Sequence, residues 1–231
     1  MSDLKLSILI CHLTRRKDLL ADLLEELYEQ MSDDFEEQET IALGECKLTR
    51  YTTPEIELLI CTDNGETTTG DKRNHLKNAA CGRYIVFIDD DDRISPNYLK
   101  FIFAGIKEGV DVITFKGFRY RDGVKDKLIH YSLNFERDTN NNAYYIRMPN
   151  HITPWKRELA LQKDFPSRTS GEDSEWAKRM KGLAKTEYHI NRILYYYMFN
   201  QEISASREAI YRREKLRLSE AIIETYNETN G

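Results

Sequence analysis

The stretch Arg83-Tyr84-Ile85-Val86-Phe87-Ile88-Asp89-Asp90-Asp91-Asp92-Arg93-Ile94-Ser95-Pro96 decides the fold. A run of aromatic and β-branched residues from Tyr84 to Ile88 stops at four consecutive carboxylates. The apolar run does not alternate with polar residues, so it reads as a strand buried on both faces, as in a parallel sheet. In open α/β sheets, ligands bind beyond the carboxyl ends of such strands, which is where Asp89 to Asp92 fall. Four adjacent acids repel one another, and a divalent cation or a cationic partner relieves that repulsion. The plainer alternative is a solvated acidic turn. A calcium loop is excluded: counted from Asp89, the sixth and twelfth positions are Ile94 and Lys100, where an EF-hand needs Gly and Glu.

Working outward, the chain before this stretch alternates strand and helix. Leu4 to Leu13 is a short apolar run suited to a first buried strand, and Thr14 to Gln30 carries Leu19, Leu20, Leu23, Leu24 and Leu27 at helical spacing. Residues 31–55 are polar and acidic, and read as a long connection or insertion. Ile56 to Cys61 is a second buried strand that ends in the turn residues Asp63-Asn64-Gly65. Thr69 to Ala80 is a helix, with Gly82 at the position of a helix C′ residue. After the acids come a helix from Ser95 to Gly105 and a strand from Val110 to Phe115. The alternation predicts an α/β chain with a mainly parallel sheet flanked by helices. The second half is less regular. Residues 117–147 suggest antiparallel strands, Thr153 to Gln162 and Ser174 to Gly182 short helices, Ile190 to Met198 a strand, and 204–231 a C-terminal helix. The economical division is one domain over 1–231, with 1–116 and 117–203 as its halves.

Composition narrows the function classes. A net charge of −5 argues against a protein that coats nucleic acid by bulk electrostatics. Cys11, Cys46, Cys61 and Cys81 show no paired CxxC spacing, which disfavours a zinc or redox motif and suits reduced thiols. No stretch approaches the ~18 apolar residues of a membrane span, and the N-terminal apolar run is too short for a signal peptide. The expectation is a soluble, cytoplasmic protein.

Three sites follow predicted parallel strands: Cys11 to Arg15, Asp63-Asn64 and Asp89 to Asp92. Acids on that edge, with Lys72 and Arg73 nearby, suit a nucleoside diphosphate held through a metal ion. The ordered set Asp63-Asn64-Gly65-Glu66, Lys72-Arg73-Asn74, Ala80-Cys81-Gly82-Arg83-Tyr84 and Phe87-Ile88-Asp89-Asp90-Asp91-Asp92 resembles the core of the family 2 glycosyltransferases of GT-A fold. Downstream, Gly171-Glu172-Asp173 is similar to that family's Glu-Asp motif, and Leu194-Tyr195-Tyr196-Tyr197 to its closing strand. The resemblance spans residues 4 to about 200. It implies a GT-A type, Rossmann-like sheet with a small antiparallel acceptor-side part. It also implies an inverting, hexosyl- or pentosyl-transferring enzyme that uses a nucleotide-diphosphate sugar, a UDP-sugar by preference, with Mn²⁺ or Mg²⁺.

The resemblance further implies residue roles. Cys11, His12 and Leu13 would line the nucleotide pocket, Asp63 would bond the nucleobase, and Lys72 and Arg73 would flank base and phosphates. Asp89 and Asp90 would approach the ribose, and Asp91 would ligate the metal, with Asp89 and a late histidine, His189, as further candidates. Asp173 would be the base that deprotonates the acceptor hydroxyl, with Glu172 and His151 facing the substrate. Two departures stand out: Cys11-His12-Leu13-Thr14 lacks the aromatic usual after the first strand, and Glu66 stands where the family has Ser. Alternatives stay open at this level. Asp173 could be a helix cap, His189 a satisfied structural histidine and Trp155 a core residue. The chain could also be a nucleotidyltransferase on the same fold, or a non-catalytic nucleotide- or glycan-binding protein. The acceptor could be a glycan, a protein, a small molecule or a hydroxymethylated DNA base. The last draws on Lys156, Arg157, Lys178, Arg179 and Lys181, whose bland reading is a hydrated helix face.

Overall fold

The computed structural model describes residues 4–31 and 35–199. The C-terminal helix expected over 204–231 lies outside the described residues. Strands β1 (Leu6–Leu13), β4 (Ile56–Asp63) and β5 (Tyr84–Phe87) form a parallel core in the order β4-β1-β5. The buried runs behave as their composition predicts, and residue parity sorts them onto two faces. Leu6, Ile8 and Ile10, with Leu58, Ile60 and Val86, enter a core covered by Leu23 and Leu27 of α1 (Lys17–Tyr28) and by Leu99, Ile102 and Ile106 of α3 (Tyr98–Lys107). Leu9, Leu59, Ile85 and Phe87 enter a second core, against Leu76 of α2 (Thr69–Ala79) and Trp176 and Met180 of α5 (Glu172–Met180). Truncating a side chain such as Ile8 to Ala would cost roughly 2–5 kcal/mol.

The sheet is more mixed than the alternation predicts. The stretch expected to be a connection is a hairpin of β2 (Glu36–Leu43) and β3 (Cys46–Thr52), with β3 antiparallel to β4. Every residue of β2 from Glu36 to Ala42 is exposed, so no apolar pattern marks it. Arg50 of β3 ties the hairpin to the core by ion-pairing with Glu39 and with the fully buried Glu57 of β4. Glu57 also accepts the Cys81 N–H at 2.7 Å. Gly82 is not a helix cap. A Cβ there would lie 2.6 Å from the Ser7 backbone nitrogen, so glycine is required by the close approach of this loop to β1.

Beyond β5 the sheet continues through antiparallel β11 (Trp155–Lys156) to β7 (Val112–Arg121), then to β8 (Val124–Tyr131), β10 (Tyr144–Arg147) and β9 (Thr139–Asn140). β12 (Glu187–Phe199) runs parallel to β7 and pairs antiparallel with the short β6 (Arg93–Ile94). The helix expected over 153–162 is shorter, with β11 leading into the single turn α4 (Arg157–Ala160). Among the described residues no helix is long and apolar enough to cross a membrane.

Candidate functional site

Directly after β5 the Asp92 N–H donates to the Asp89 carbonyl at 3.1 Å, and this turn aims alternate carboxylates in opposite directions. Asp90 and Asp92 point inward, each 2 % exposed. Asp90 faces His12 Nδ1 at 2.9 Å and accepts from the Leu13 N–H at 3.2 Å and Arg16 Nη1 at 2.8 Å. Asp92 accepts from the Tyr195 hydroxyl at 2.7 Å and the Met198 N–H at 2.8 Å. Burial, reinforced by the charges of Asp91 and Asp89, pushes the Asp92 carboxyl well above the usual carboxylate range.

Asp89 and Asp91 face outward. Asp89 lies 3.0 Å from Arg73 Nη2 and 3.2 Å from His151 Nε2. Burial works against its charge, but Arg73 and then His151 outweigh it and hold the carboxyl below its ordinary value. Asp91 meets Arg16 Nη1 at 3.0 Å. Burial raises its carboxyl to about 7, with Arg16 opposing and the neighbouring charges of Asp90 and Asp89 adding to the rise.

Helix α2 delivers the basic pair. The Thr68 side chain caps it by accepting the Asp71 N–H at 3.2 Å. Lys72 Nζ then reaches the His12 carbonyl at 2.9 Å and the Asp63 carboxylate. Asp63 also accepts the Gly65 and Thr67 N–H groups, each at 2.9 Å, and so folds the turn after β4. Burial opposes the Asp63 charge, yet Lys72 and these N–H donors keep its carboxyl low. Asn74 exchanges two 2.9 Å hydrogen bonds with the backbone of Phe165. Arg73 lies against the rings of Phe87 and Phe165, at 5.4 and 5.6 Å, with Nε 3.5 Å from Glu172. Its Nε and Nη1 are buried without a hydrogen-bond partner.

Two further acids arrive on α5. Gly171 takes φ +74°, a left-handed turn that starts the helix at Glu172. Glu172 is buried, and that burial raises its carboxyl against the pull of Arg73. Asp173 is 31 % exposed, with Oδ2 3.8 Å from His151 Nδ1. His151 thus stands between Asp89 and Asp173, and its Nδ1 is buried with no hydrogen bond.

These groups border one cleft of about 810 Å³. It brings together Cys11, Leu13, Lys72, Arg73, Asp89, Asp90, Asp91, His151, Glu172 and Asp173 of the sequence-level candidates. His12 and Asp63 do not line it: one braces Asp90, and the other braces Lys72 and its own turn. His189 is also absent from the lining, and its Nδ1 lies 2.9 Å from Thr114 Oγ1 on the β7–β12 pairing. Trp155 is a core residue, 1 % exposed and edge-on to Trp176 at 5.6 Å. None of the basic residues singled out for nucleic acid lines the cleft. Lys156 pairs with Asp111, Arg179 with Glu175 and Lys181 with Glu136.

Sequence reasoning missed Arg16, Arg119, Tyr145 and Arg147, which line the cleft. Within the closing strand, Tyr195 and Tyr197 also line the cleft, whereas Tyr196 turns to the Tyr120 core. The period of two along a strand was the available signal. Among the described residues no three His, Cys, Asp or Glu side chains converge into a protein-only metal cage. Asp91, 27 % exposed and, among the described residues, ion-paired with Arg16, suits instead the single protein carboxylate of a Mg²⁺ or Mn²⁺ site that takes its other ligands from outside the protein.

A family model described as glycosyl transferase family 2 matches residues 7–158. Among curated proteins no sequence match is found. The fold is similar to that of S. aureus TarS 1–349, at 18 % identity and a TM-score of 0.58, covering 95 % of this chain and 64 % of that one. The same fragment in complex with UDP-GlcNAc gives 19 % identity and a TM-score of 0.59, covering 90 % and 64 %. Its complex with UDP gives 19 % and 0.58, covering 95 % and 65 %. The chain therefore spans less than two thirds of these solved chains, and at such identity the likeness shows the fold alone.

Proposed function

The chain belongs to glycosyl transferase family 2, and from that premise we propose that it moves a sugar from a nucleoside-diphosphate donor, a UDP-sugar, to an acceptor hydroxyl with inversion, aided by a divalent cation. The observation that carries this reading is the convergence on one cleft of Asp89 and Asp91 from the β5 loop, Lys72 and Arg73 from α2, and Asp173 from α5. The TarS structures with UDP and UDP-GlcNAc support the donor class.

The roles follow from where each side chain lies. Leu13 and Cys11 wall the nucleotide end, and Lys72 fixes that wall through the His12 carbonyl. Asp63 acts here through the shape of its turn, because both of its oxygens are already taken. Arg73 holds Asp89 toward the ribose, and Asp91 would hold the cation. The bound cation would supply Lewis-acid screening of the leaving diphosphate. Asp173 accepts the acceptor's proton as that oxygen bonds to the anomeric carbon. The carbon–oxygen bond to phosphate breaks in the same step, and its electron pair leaves with the diphosphate. A carboxylate suffices as base because the hydroxyl becomes acidic only as the new bond forms. His151, wedged between Asp89 and Asp173, fixes the distance between donor and base.

The test is a calorimetric and product screen of UDP-, GDP-, TDP- and CMP-sugars with Mn²⁺ or with chelator. Metal-dependent binding of one donor, and slow release of its nucleotide with free sugar rather than of a nucleoside monophosphate with sugar phosphate, is the expected result for a diphosphate donor. No binding of any donor under either condition would overturn the reading.

A further inference from the structure

Among the described residues, Arg16 is the one cation that touches both an inward and an outward carboxylate of the acidic loop. It ends the 3-10 turn Thr14–Arg16 that follows β1. A single nitrogen, Nη1, reaches Asp90 Oδ1 at 2.8 Å and Asp91 Oδ2 at 3.0 Å. The two contacts are unequal. Asp90 is 2 % exposed and further fixed by His12 and the Leu13 N–H, so it anchors the guanidinium. Asp91 is 27 % exposed and opens on the cleft, so its contact can be exchanged. Two other cations of the cleft are committed elsewhere: Lys72 to Asp63 and the His12 carbonyl, Arg73 to Asp89.

We propose that Arg16 is the resident counter-ion of Asp91, and that it yields this carboxylate to a divalent cation only when the donor's diphosphate arrives to take up the guanidinium. This inference rests on the metal-assisted transferase reading. A cation ligated by Asp91 would sit about 2 Å from an oxygen that Arg16 now approaches to hydrogen-bond distance. Two cations so close repel strongly in a cleft shielded from water. A diphosphate relieves the conflict, since its oxygens accept both the metal and the planar guanidinium. Arg16 need not travel far, because Asp90 keeps it beside the loop. The consequence is reciprocal coupling: Arg16 weakens metal binding in the empty cleft and favours metal and diphosphate bound together.

Manganese binding to the full chain, read by electron paramagnetic resonance with and without UDP, tests this directly. Arg16→Gln is expected to bind Mn²⁺ alone roughly tenfold more tightly than wild type, a shift of about 1.4 kcal/mol. UDP should then tighten Mn²⁺ binding less in Arg16→Gln than in wild type. Arg16→Lys keeps the charge and is expected to stay within about twofold of wild type, which separates charge from packing. Asp91→Asn should lose Mn²⁺ binding and locates the signal. If wild type binds Mn²⁺ with UDP but folded Arg16→Gln gains no affinity for Mn²⁺ alone, the Arg16 inference fails while the transferase reading stands. A tenfold gain in Arg16→Lys would overturn it equally. If wild type binds UDP in chelator but no Mn²⁺ under any condition, the metal part of the reading fails and this inference with it.

Discussion

The two halves of the sheet build their parts of the cleft differently. In the parallel half, β4, β1 and β5 are buried on both faces, and chemistry appears only where they end. Asp63, His12, Leu13 and the Asp89–Asp92 turn all lie at those ends. In the mixed half, β7 pairs antiparallel with β8 but parallel with β12, and β10 pairs parallel with β8; these strands show the cleft one face, so Arg119, Tyr131, Tyr145, Arg147, Tyr195 and Tyr197 reach it from within strands. The cleft groups at the ends of the parallel strands are therefore contiguous in sequence and tied by ion pairs, while those of the mixed half are dispersed along four strands. Substitutions in the first half should disturb folding and donor binding together. Substitutions in the second should alter turnover or acceptor use and leave the fold in place.

The largest expected effect tests the proposed base on α5, outside both sets of strands. Asp173→Asn removes the base while keeping the side chain's shape, and kcat should fall by about 10²–10⁴. Donor affinity by calorimetry should stay within about twofold, because among the described residues Asp173 is ion-paired with His151 and not with Asp89 to Asp92. A matching loss of donor binding would erase the distinction between the halves. Next comes Arg73→Met. It strips Asp89 of its strongest partner and leaves Glu172 buried without a nearby cation. Breaking a buried pair on one side costs about 3–5 kcal/mol, so denaturant melts should show a clear loss of stability alongside weaker donor binding. A folded Arg73→Met with wild-type stability would mean that the donor side is no more locked than the acceptor side.

This difference also explains what could be read from the sequence. Strands buried on both faces leave unbroken apolar runs, so β1, β4 and β5 were legible, and contiguous motifs mark their ends. The β2–β3 hairpin was not legible. β2 is exposed, and its link to the core is ionic, from Arg50 to Glu39 and Glu57, which looks like loop composition. Gly82 suits a helix cap by position, yet its reason is the backbone of Ser7, a contact of long sequence separation. Arg16 lay in a plain basic pair, and only the fold brings it to Asp90 and Asp91. The cleft face of the mixed half was hidden because alternation tells which residues share a face, not what that face meets.

A smaller effect sharpens the acceptor wall. The Tyr145 ring lies between Arg119 at 4.6 Å and Arg147 at 4.7 Å. Tyr145→Ala should raise the acceptor KM several-fold, on the scale of about 1 kcal/mol for a lost cation–π platform, with donor KM unchanged. Equal changes in both would place this wall on the donor.

The smallest effect concerns the seam between the halves, where Asp111 immediately precedes β7. Its carboxylate accepts the Lys185 and Thr186 N–H groups at 2.8 and 3.0 Å and pairs with Lys156 of β11 at 3.1 Å. Burial works against the charge, but these donors hold the carboxyl below its ordinary value. A carboxyl lowered on folding binds protons more readily in the unfolded chain, so stability from Asp111 is present above the ordinary carboxylate range. It is lost as pH falls through that range toward the folded value. Asp111→Asn keeps the shape but weakens the charge-assisted bonds, costing about 1–2 kcal/mol near neutral pH. The gap between wild type and variant should close as urea melts are moved from pH 7 toward pH 3. A gap independent of pH would mean that Asp111 holds the seam by shape alone, and that charge locks only the donor side.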